Sequence, residues 1–154
     1  MSKYWLMKTE PEVFSIDDLA KLKKAPWEGV RNYQARNFMR DEMQLGDKIL
    51  IYHSNANPPG VAGIAEVSAL NLADNFALDP QSKYYDPKAT KEKNPWVMVE
   101  VKFIEKFPEL ISLHQLKNFT ELSRMQLLQK GNRLSVMPLE RKEFDYIVKL
   151  GEDA

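Results

Sequence analysis

The segment from Val30 to Arg40 contains three arginines, two asparagines, a glutamine and a tyrosine, and it lacks acidic residues. These side chains are suited to contacting phosphates, hydrogen-bonding base edges and stacking on planar rings. Arg36 and Arg40 are four residues apart, so a helix would place both on one face. The alternative interpretation is a solvated helix face whose arginines pair with acids nearby, such as Asp41.

Polar side chains follow two predicted strands directly. Lys8–Glu10 come at the end of the first strand, where Pro11 prevents further pairing, and His53 and Ser54 end a later strand. A strand end can hold functional groups rigidly at the mouth of a pocket. The alternatives are an ordinary surface Lys–Glu pair and a core histidine. A Ser–His catalytic triad is not predicted, because no aspartate lies at a suitable spacing.

Two further segments could form walls of the same pocket. Trp27 lies between Pro26 and Gly29, outside any periodic element, and could stack on a planar ligand. Stacking of one base on an aromatic side chain contributes about 1–3 kcal/mol. Arg133 and Ser135 alternate along a predicted strand and would therefore share one face. They form either a second wall or the polar side of an edge strand.

The composition excludes several classes of site. Lys plus Arg and Asp plus Glu each total 22, so the basic surplus of a protein that coats nucleic acid is missing. The 154 residues include no cysteine and two histidines, which excludes disulfides, thiolate sites and a three-histidine metal site. Neither a phosphate loop nor a dinucleotide fingerprint is found, and we predict no cofactor and no catalytic residue.

The first eight residues contain an apolar run of four, which is too short for a signal sequence or a membrane span. We therefore expect a cytoplasmic protein, or a nuclear one in a eukaryote, without a membrane partner.

Hydrophobic periodicity and capping residues predict an alternation of strands and helices. Ser15 and Asp18 have the spacing of a capping box, which begins a helix ending near residue 23. Further helical segments are predicted over 33–42, 112–117, 123–129 and 140–150, the last with Gly151 as its stop. Strands are predicted over 4–8, 48–53, 60–67, 96–107 and 134–137.

This order of elements predicts one α+β domain over residues 1–154. We favour a small mixed or antiparallel β-barrel with helices packed at its sides. A connection of about 25 residues precedes the strand at 96–107. Such long connections are functional or disordered in most proteins. The tyrosines and prolines in this one predict an ordered, packed loop.

Six blocks of the sequence together resemble the EVE domain family. They are YWLMKTEP (4–11), WEGVRNYQARN (27–37), YHSN (52–55), GVAGIA (60–65), YYDP (84–87) and RLSV (133–136). The resemblance covers nearly the whole chain, and the second block is highly specific. Thr9 departs from the serine that is usual in the family; it keeps the hydroxyl but adds a methyl group.

The resemblance implies a PUA-like fold and recognition of a modified nucleobase, either a modified cytosine in DNA or a modified base in RNA. The target base would be single-stranded or flipped out of a duplex. The implied pocket floor is Lys8, Thr9 and Glu10. The implied wall is Trp27, Val30, Arg31, Asn32 and Tyr33, the far side is His53, Ser54, Arg133 and Ser135, and Arg36 and Arg40 would hold flanking phosphates.

A second hypothesis is an enzyme. ASCH-type relatives of similar fold include amidohydrolases that act on acylated cytidine with a Lys, a Thr and a Glu. Lys8, Thr9 and Glu10 supply these residue types, with Thr9 as nucleophile or water-positioning group and Glu10 as general acid and base. Consecutive strand residues alternate sides, so Thr9 would point away from its neighbours unless the strand has ended. We consider nucleobase binding the better-supported hypothesis. A protein-binding adaptor that uses the tyrosine-rich segment 84–87 has less support still.

Overall fold

The computed structural model describes residues 3–153. Residues 1, 2 and 154 of the predicted domain lie outside this range. Residues 1 and 2 also belong to the N-terminal segment of eight residues discussed above. Six strands form one sheet in the order β2-β5-β4-β3-β1-β6. They are β1 (Tyr4–Thr9), β2 (Lys24–Pro26), β3 (Lys48–His53), β4 (Gly60–Ala73), β5 (Val97–Ser112) and β6 (Val136–Leu139).

Four helices flank the sheet: α1 (Ile16–Leu22), α2 (Tyr33–Asn37), α3 (Leu113–Leu116) and α4 (Arg141–Glu152). The helix α2 continues into a π-helical turn, Phe38–Glu42, so that the two together span the predicted helix 33–42. The predicted capping box of α1 is present, because Ser15 Oγ accepts from the Asp18 N–H and Asp18 Oδ2 accepts from the Ser15 N–H. The α+β prediction is confirmed.

The sheet is mixed, since β1 and β3 pair in parallel and every other neighbouring pair is antiparallel. Side chains alternate between two apolar cores on its opposite faces. Trp5 of β1 and Ile49 of β3 lie in one core, whereas Leu6 and Leu50 lie in the other. The first core packs against α1 and α2, and the second packs against α3 and α4.

The strands β2 and β6 are the two edges of this sheet. Within residues 3–153 they do not pair with each other, so the predicted barrel remains open along this seam. Proline lacks the N–H that a central strand needs and is tolerated at sheet edges. Pro26 ends β2 and Pro138 lies inside β6, which explains why sequence patterns missed the first strand and placed the second two residues too early.

Two other sequence-based predictions need correction. The segment 123–129, predicted as one helix, contains a single short 3-10 turn, Gln126–Leu128, and a second turn, Thr120–Leu122, lies just before it. Gly151 does not end the last helix but lies within α4. It is buried there because α4 packs closely on Phe107 of β5. No helix in the described residues is long and apolar enough to cross a membrane.

The close approach at Gly151 gives a stability prediction. A Cβ atom there would lie 2.5 Å from the Phe107 ring, which is itself buried. Overpacking of this kind costs about 1–3 kcal/mol, which exceeds the gain of about 1 kcal/mol in helix propensity. We therefore expect Gly151→Ala to lower the free energy of unfolding in urea. Lys149→Ala, an exposed change on the same helix, is the control, and an unchanged or higher stability of Gly151→Ala would contradict the close packing.

Candidate functional site

A cavity of about 540 Å³ opens where the chain leaves β1, leaves β2 and approaches β6. These three points flank the seam between the edge strands. Eight of the twelve residues predicted to contact a ligand line it: Lys8, Thr9, Glu10, Trp27, Val30, Ser54, Arg133 and Ser135. Seven residues that were not predicted complete the lining, namely Val13, Phe14, Pro26, Glu28, Gly29, Lys83 and Tyr84.

Backbone hydrogen bonds bring the polar segments together. The Lys8 N–H donates to the Ser135 carbonyl at 2.8 Å, and the Ser54 N–H donates to the Thr9 carbonyl at 2.9 Å. Ser135 and Arg133 precede β6 rather than lying within it. The strand-alternation argument therefore does not apply to them, and a loop places both at the cavity.

The three residues Lys8, Thr9 and Glu10 all line the cavity because β1 ends at Thr9. The Thr9 hydroxyl donates to the Phe14 carbonyl at 2.8 Å, which ties the segment after β1 back onto the strand. Glu10 accepts a hydrogen bond from the Asn55 side chain at 2.8 Å. Of the three polar side chains, those of Thr9 and Glu10 are thus already engaged within the protein.

Trp27 belongs both to the core and to the cavity wall. The residue is 5% exposed, packs edge-on against Phe14 and donates its backbone N–H to the Val99 carbonyl. This bond continues the pairing with β5 by one residue beyond the end of β2, while Trp27 itself lies outside the regular elements, as predicted. A side chain so buried also contributes to the stability of the fold.

The indole N–H of Trp27 differs in its bonding from those of the other two tryptophans. In the part of the chain that the structure describes, the indole N–H groups of Trp5 and Trp96 donate to Asp47 and Asp86, whereas that of Trp27 has no acceptor. Over the same residues, every buried side-chain nitrogen and oxygen has a hydrogen-bond partner. The Trp27 nitrogen is consequently in contact with solvent, and Trp27 is also a lining residue of the cavity.

A second aromatic residue of the cavity wall is Tyr84, which comes from the long connection before β5. Gly29 has a φ of +84°, and a Cβ atom on it would lie 2.5 Å from Tyr84 Cε1. Only glycine combines this backbone conformation with so close an approach. Two features of the sequence could have revealed this contact. They are the glycine two residues after Trp27 and the tyrosine-rich block in a loop that was predicted to be ordered.

Arg31 holds the long connection in place and has no donor left for a ligand. Its guanidinium donates to both carboxylate oxygens of Asp74, twice to the Tyr84 carbonyl and once to the Val30 carbonyl. These bonds use all five N–H groups of the side chain. Asp74 is 1% exposed, so the ion pair is buried on its acidic side. Arg31 lies outside the cavity lining and positions Tyr84.

The other three residues expected at the pocket have different places. The Asn32 side chain caps α2 by accepting from the Ala35 N–H at 3.0 Å. Tyr33 is stacked on Trp96 with ring centroids 4.8 Å apart and remains 57% exposed. His53 is half-buried, and its Nε2 accepts the N–H of Ile16, the first residue of α1.

Neither arginine predicted to hold phosphates lines the cavity. Arg36 donates to the Pro95 carbonyl and to Asn37 Oδ1, with three of its five N–H groups engaged. Arg40 pairs with Asp41 at 2.7 Å on the surface, as the alternative interpretation of this helix face proposed.

The cavity carries charges of both signs. Lys8, Lys83 and Arg133 are basic, and Glu10 and Glu28 are acidic. Burial lowers the pKa of Lys8, whose ammonium lies 5.8 Å from the centre of the Tyr52 ring. The same cavity thus offers hydrogen-bond donors, acceptors and an apolar wall. No group of three potential metal ligands occurs among residues 3–153.

A family model for the EVE domain matches residues 3–150 of this chain. Human thymocyte nuclear protein 1 is 39% identical over 172 residues, which cover 99% of this chain and 75% of that protein.

Solved structures of similar sequence have the same fold. A hypothetical protein from Leishmania major is 55% identical with a TM-score of 0.95, and the match covers 99% of this chain and 96% of that one. Human THYN1 protein in complex with 5-methylcytosine-containing DNA is 37% identical with a TM-score of 0.91, covering 98% of each chain. An ASCH protein from Zymomonas mobilis, at 15% identity and a TM-score of 0.53, shares the fold alone.

The Arg31–Asp74 pair predicts a large effect on stability. Removing one partner of a buried pair costs about 3–5 kcal/mol, because the other charge is left without compensation. We expect Arg31→Met to lower the free energy of unfolding by that amount, measured in urea. Arg40→Met is the matched control, since its pair has the same 2.7 Å separation but lies in solvent and should contribute little. Equal effects of the two changes would contradict the role given to Arg31.

His53 predicts a dependence of stability on pH. Burial lowers its pKa below the ordinary 6.5, and its Nε2 can accept the Ile16 N–H only when that nitrogen is unprotonated. The folded state therefore binds fewer protons than the unfolded state, so this contribution is complete above about pH 6.5 and is lost as the pH falls through the folded-state pKa.

Unfolding free energies measured across this range should fall more steeply for the wild type than for His53→Gln. The control is His114→Gln, which changes an exposed histidine and should keep the wild-type slope. If the unfolding free energy of His53→Gln changes with pH as steeply as that of the wild type, the bond to Ile16 does not depend on protonation of His53.

Proposed function

The chain belongs to the EVE domain family, and we propose that its cavity binds a modified cytosine base of DNA. The observation that carries this proposal is the convergence of eight predicted residues on one cavity with an aromatic wall. A volume of about 540 Å³ lies within the range of about 300–1,000 Å³ that is typical of small-molecule sites. DNA is preferred to RNA because the similar human THYN1 protein was solved with 5-methylcytosine-containing DNA.

The chemistry of the lining supports a base as the ligand. Cytosine presents an amino donor and two acceptors on its Watson–Crick edge. Carboxylates such as Glu10 and Glu28 can accept from the amino group, while Lys8 and Arg133 can donate to the acceptors. A methyl group on the ring would find apolar contacts at the Val13 side of the cavity. These pairings are proposals from donor and acceptor types.

A base in a stacked duplex cannot enter such a cavity. The target must be single-stranded, or it must be flipped out at a cost of a few kcal/mol. Stacking inside the cavity offsets this cost, with Trp27 and Tyr84 as the two aromatic walls. The indole N–H of Trp27 adds a donor that is aimed at the ligand. We therefore expect a preference for single-stranded or mismatched sites over a fully paired duplex.

The hydrolase hypothesis has less support at this cavity. Lys8, Thr9 and Glu10 do share it, but the Thr9 hydroxyl donates to the Phe14 carbonyl, so its proton is not directed at a general base. Glu10 is engaged by Asn55. Hydrolysis of acylated cytidine remains a separate prediction, and it would be tested by release of acyl groups from modified nucleosides.

Trp27→Phe tests the proposed donor while keeping an aromatic wall. Loss of one hydrogen bond to the base should weaken binding to a methylated oligonucleotide about 3- to 10-fold. Fluorescence anisotropy at low salt, with methylated and plain oligonucleotides, measures the effect. Trp5→Phe is the matched control: it removes the bond to Asp47 and lowers stability, but it lies in the core and should leave affinity unchanged.

Trp27→Ala is the wrong test for this purpose, since removing a buried tryptophan costs about 3–5 kcal/mol of stability. The proposal is overturned if the wild type binds methylated and plain oligonucleotides equally well. An unchanged affinity of Trp27→Phe would show that the indole N–H does not bond to the base.

A further inference from the structure

A row of aromatic and cationic side chains leads from the cavity wall to an exposed end at Tyr33. It begins at the cavity wall with Tyr84, whose ring centre lies 5.8 Å from the Arg31 guanidinium carbon. Arg31 lies 5.3 Å from the ring centre of Trp96, and Trp96 stacks on Tyr33 at 4.8 Å. The guanidinium of Arg36 lies 4.9 Å from the Tyr33 ring centre and ends the row.

The outer end of this row is exposed, unlike its middle. Trp96 is 6% exposed and serves as packing, whereas Tyr33 is 57% exposed. Tyr33 also lines a shallow recess of about 420 Å³ together with the segment from 86 to 95. The recess does not belong to the cavity described above, and its residues have no part in the base contacts proposed there.

The recess has unpaired positive charge. Lys88 and Lys93 line it and are exposed, and within residues 3–153 neither lies within 4.0 Å of a carboxylate oxygen. Of its two acidic residues, Asp86 is engaged by the indole N–H of Trp96 and the backbone N–H of Lys88. Glu92 is the other.

We propose that this recess binds a further nucleotide of the strand whose modified base is held in the cavity. An unpaired base can stack on an aromatic ring or on a guanidinium plane, and the Tyr33–Arg36 end of the row offers both. Lys88 and Lys93 contact the phosphates on either side of that base. The inference rests on the proposed function, because the packed row connects the recess to the wall of the cavity that holds the modified base.

A tethered second contact raises the affinity for a strand without changing the affinity for a single nucleotide. The probes are therefore 5-methyl-deoxycytidine monophosphate and a short single-stranded oligonucleotide with 5-methylcytosine at an internal position. We expect Tyr33→Leu to weaken binding of the oligonucleotide by about tenfold or more, as loss of one stacked base requires. Binding of the mononucleotide should remain at the wild-type value.

A control and a second variant protect this test from a folding artefact. Tyr85 is an exposed tyrosine in the connection between β4 and β5, and it does not belong to the row. The Tyr85→Leu variant should bind both probes like the wild type. The double change of Lys88 and Lys93 to Gln leaves the row intact. It should reduce the slope of log affinity against log salt by about 0.7 for each phosphate that the protein no longer neutralises.

Each outcome separates the two proposals. If the wild type prefers the methylated probe but Tyr33→Leu and the double lysine variant match it on every probe, the recess is overturned and the cavity stands. If the wild type does not distinguish methylated from plain oligonucleotide while Tyr33→Leu still binds more weakly, the cavity proposal is overturned, and the recess is a strand-binding surface that does not depend on a base held in the cavity. Absence of oligonucleotide binding by the wild type overturns both.

Discussion

The ion pair between Arg31 and Asp74 holds in place the connection that supplies Tyr84, the second aromatic residue of the cavity wall. The long connection between β4 and β5 contains little regular structure, so its position depends on side-chain contacts with the rest of the molecule. Arg31 supplies the main contact by binding a buried carboxylate and the Tyr84 carbonyl together. Tyr84 can then pack on the bare backbone of Gly29 and line the cavity. Arg31 therefore acts on a ligand only by placing Tyr84.

Stability and recognition depend on the same residues at the remaining wall. Trp27 is almost fully buried, and its backbone extends the edge of the sheet, yet its indole nitrogen opens to solvent. Rigidity of this kind favours binding, because a side chain held by packing loses little conformational entropy when a ligand arrives. A change at Trp27 therefore alters both stability and recognition. Only a substitution that keeps the packing volume can separate the two effects.

Local patterns in the sequence predicted the elements that depend on local chemistry. The capping box at Ser15 and the apolar strand at 48–53 were placed correctly, and so were the residues at the end of β1. Sequence patterns failed where a distant partner decides the outcome. The arginine-rich segment resembles a phosphate-binding surface, but Asp74 lies 43 residues beyond Arg31 and takes its charge. The bond from the Ile16 N–H likewise removes His53 from the site. The strand β2 was missed because a three-residue edge strand that ends in proline leaves no periodic pattern.

The central claim is that the indole N–H of Trp27 lies in the wall of a cavity that accepts a methylated base. Proton–nitrogen NMR spectra resolve the indole N–H groups of Trp5, Trp27 and Trp96 as separate signals, which can be followed as a methylated single-stranded oligonucleotide is added. We predict a large shift of the Trp27 signal, with that of Trp5, which is bonded to Asp47, unchanged. Saturation of binding with the Trp27 signal unmoved would contradict this claim.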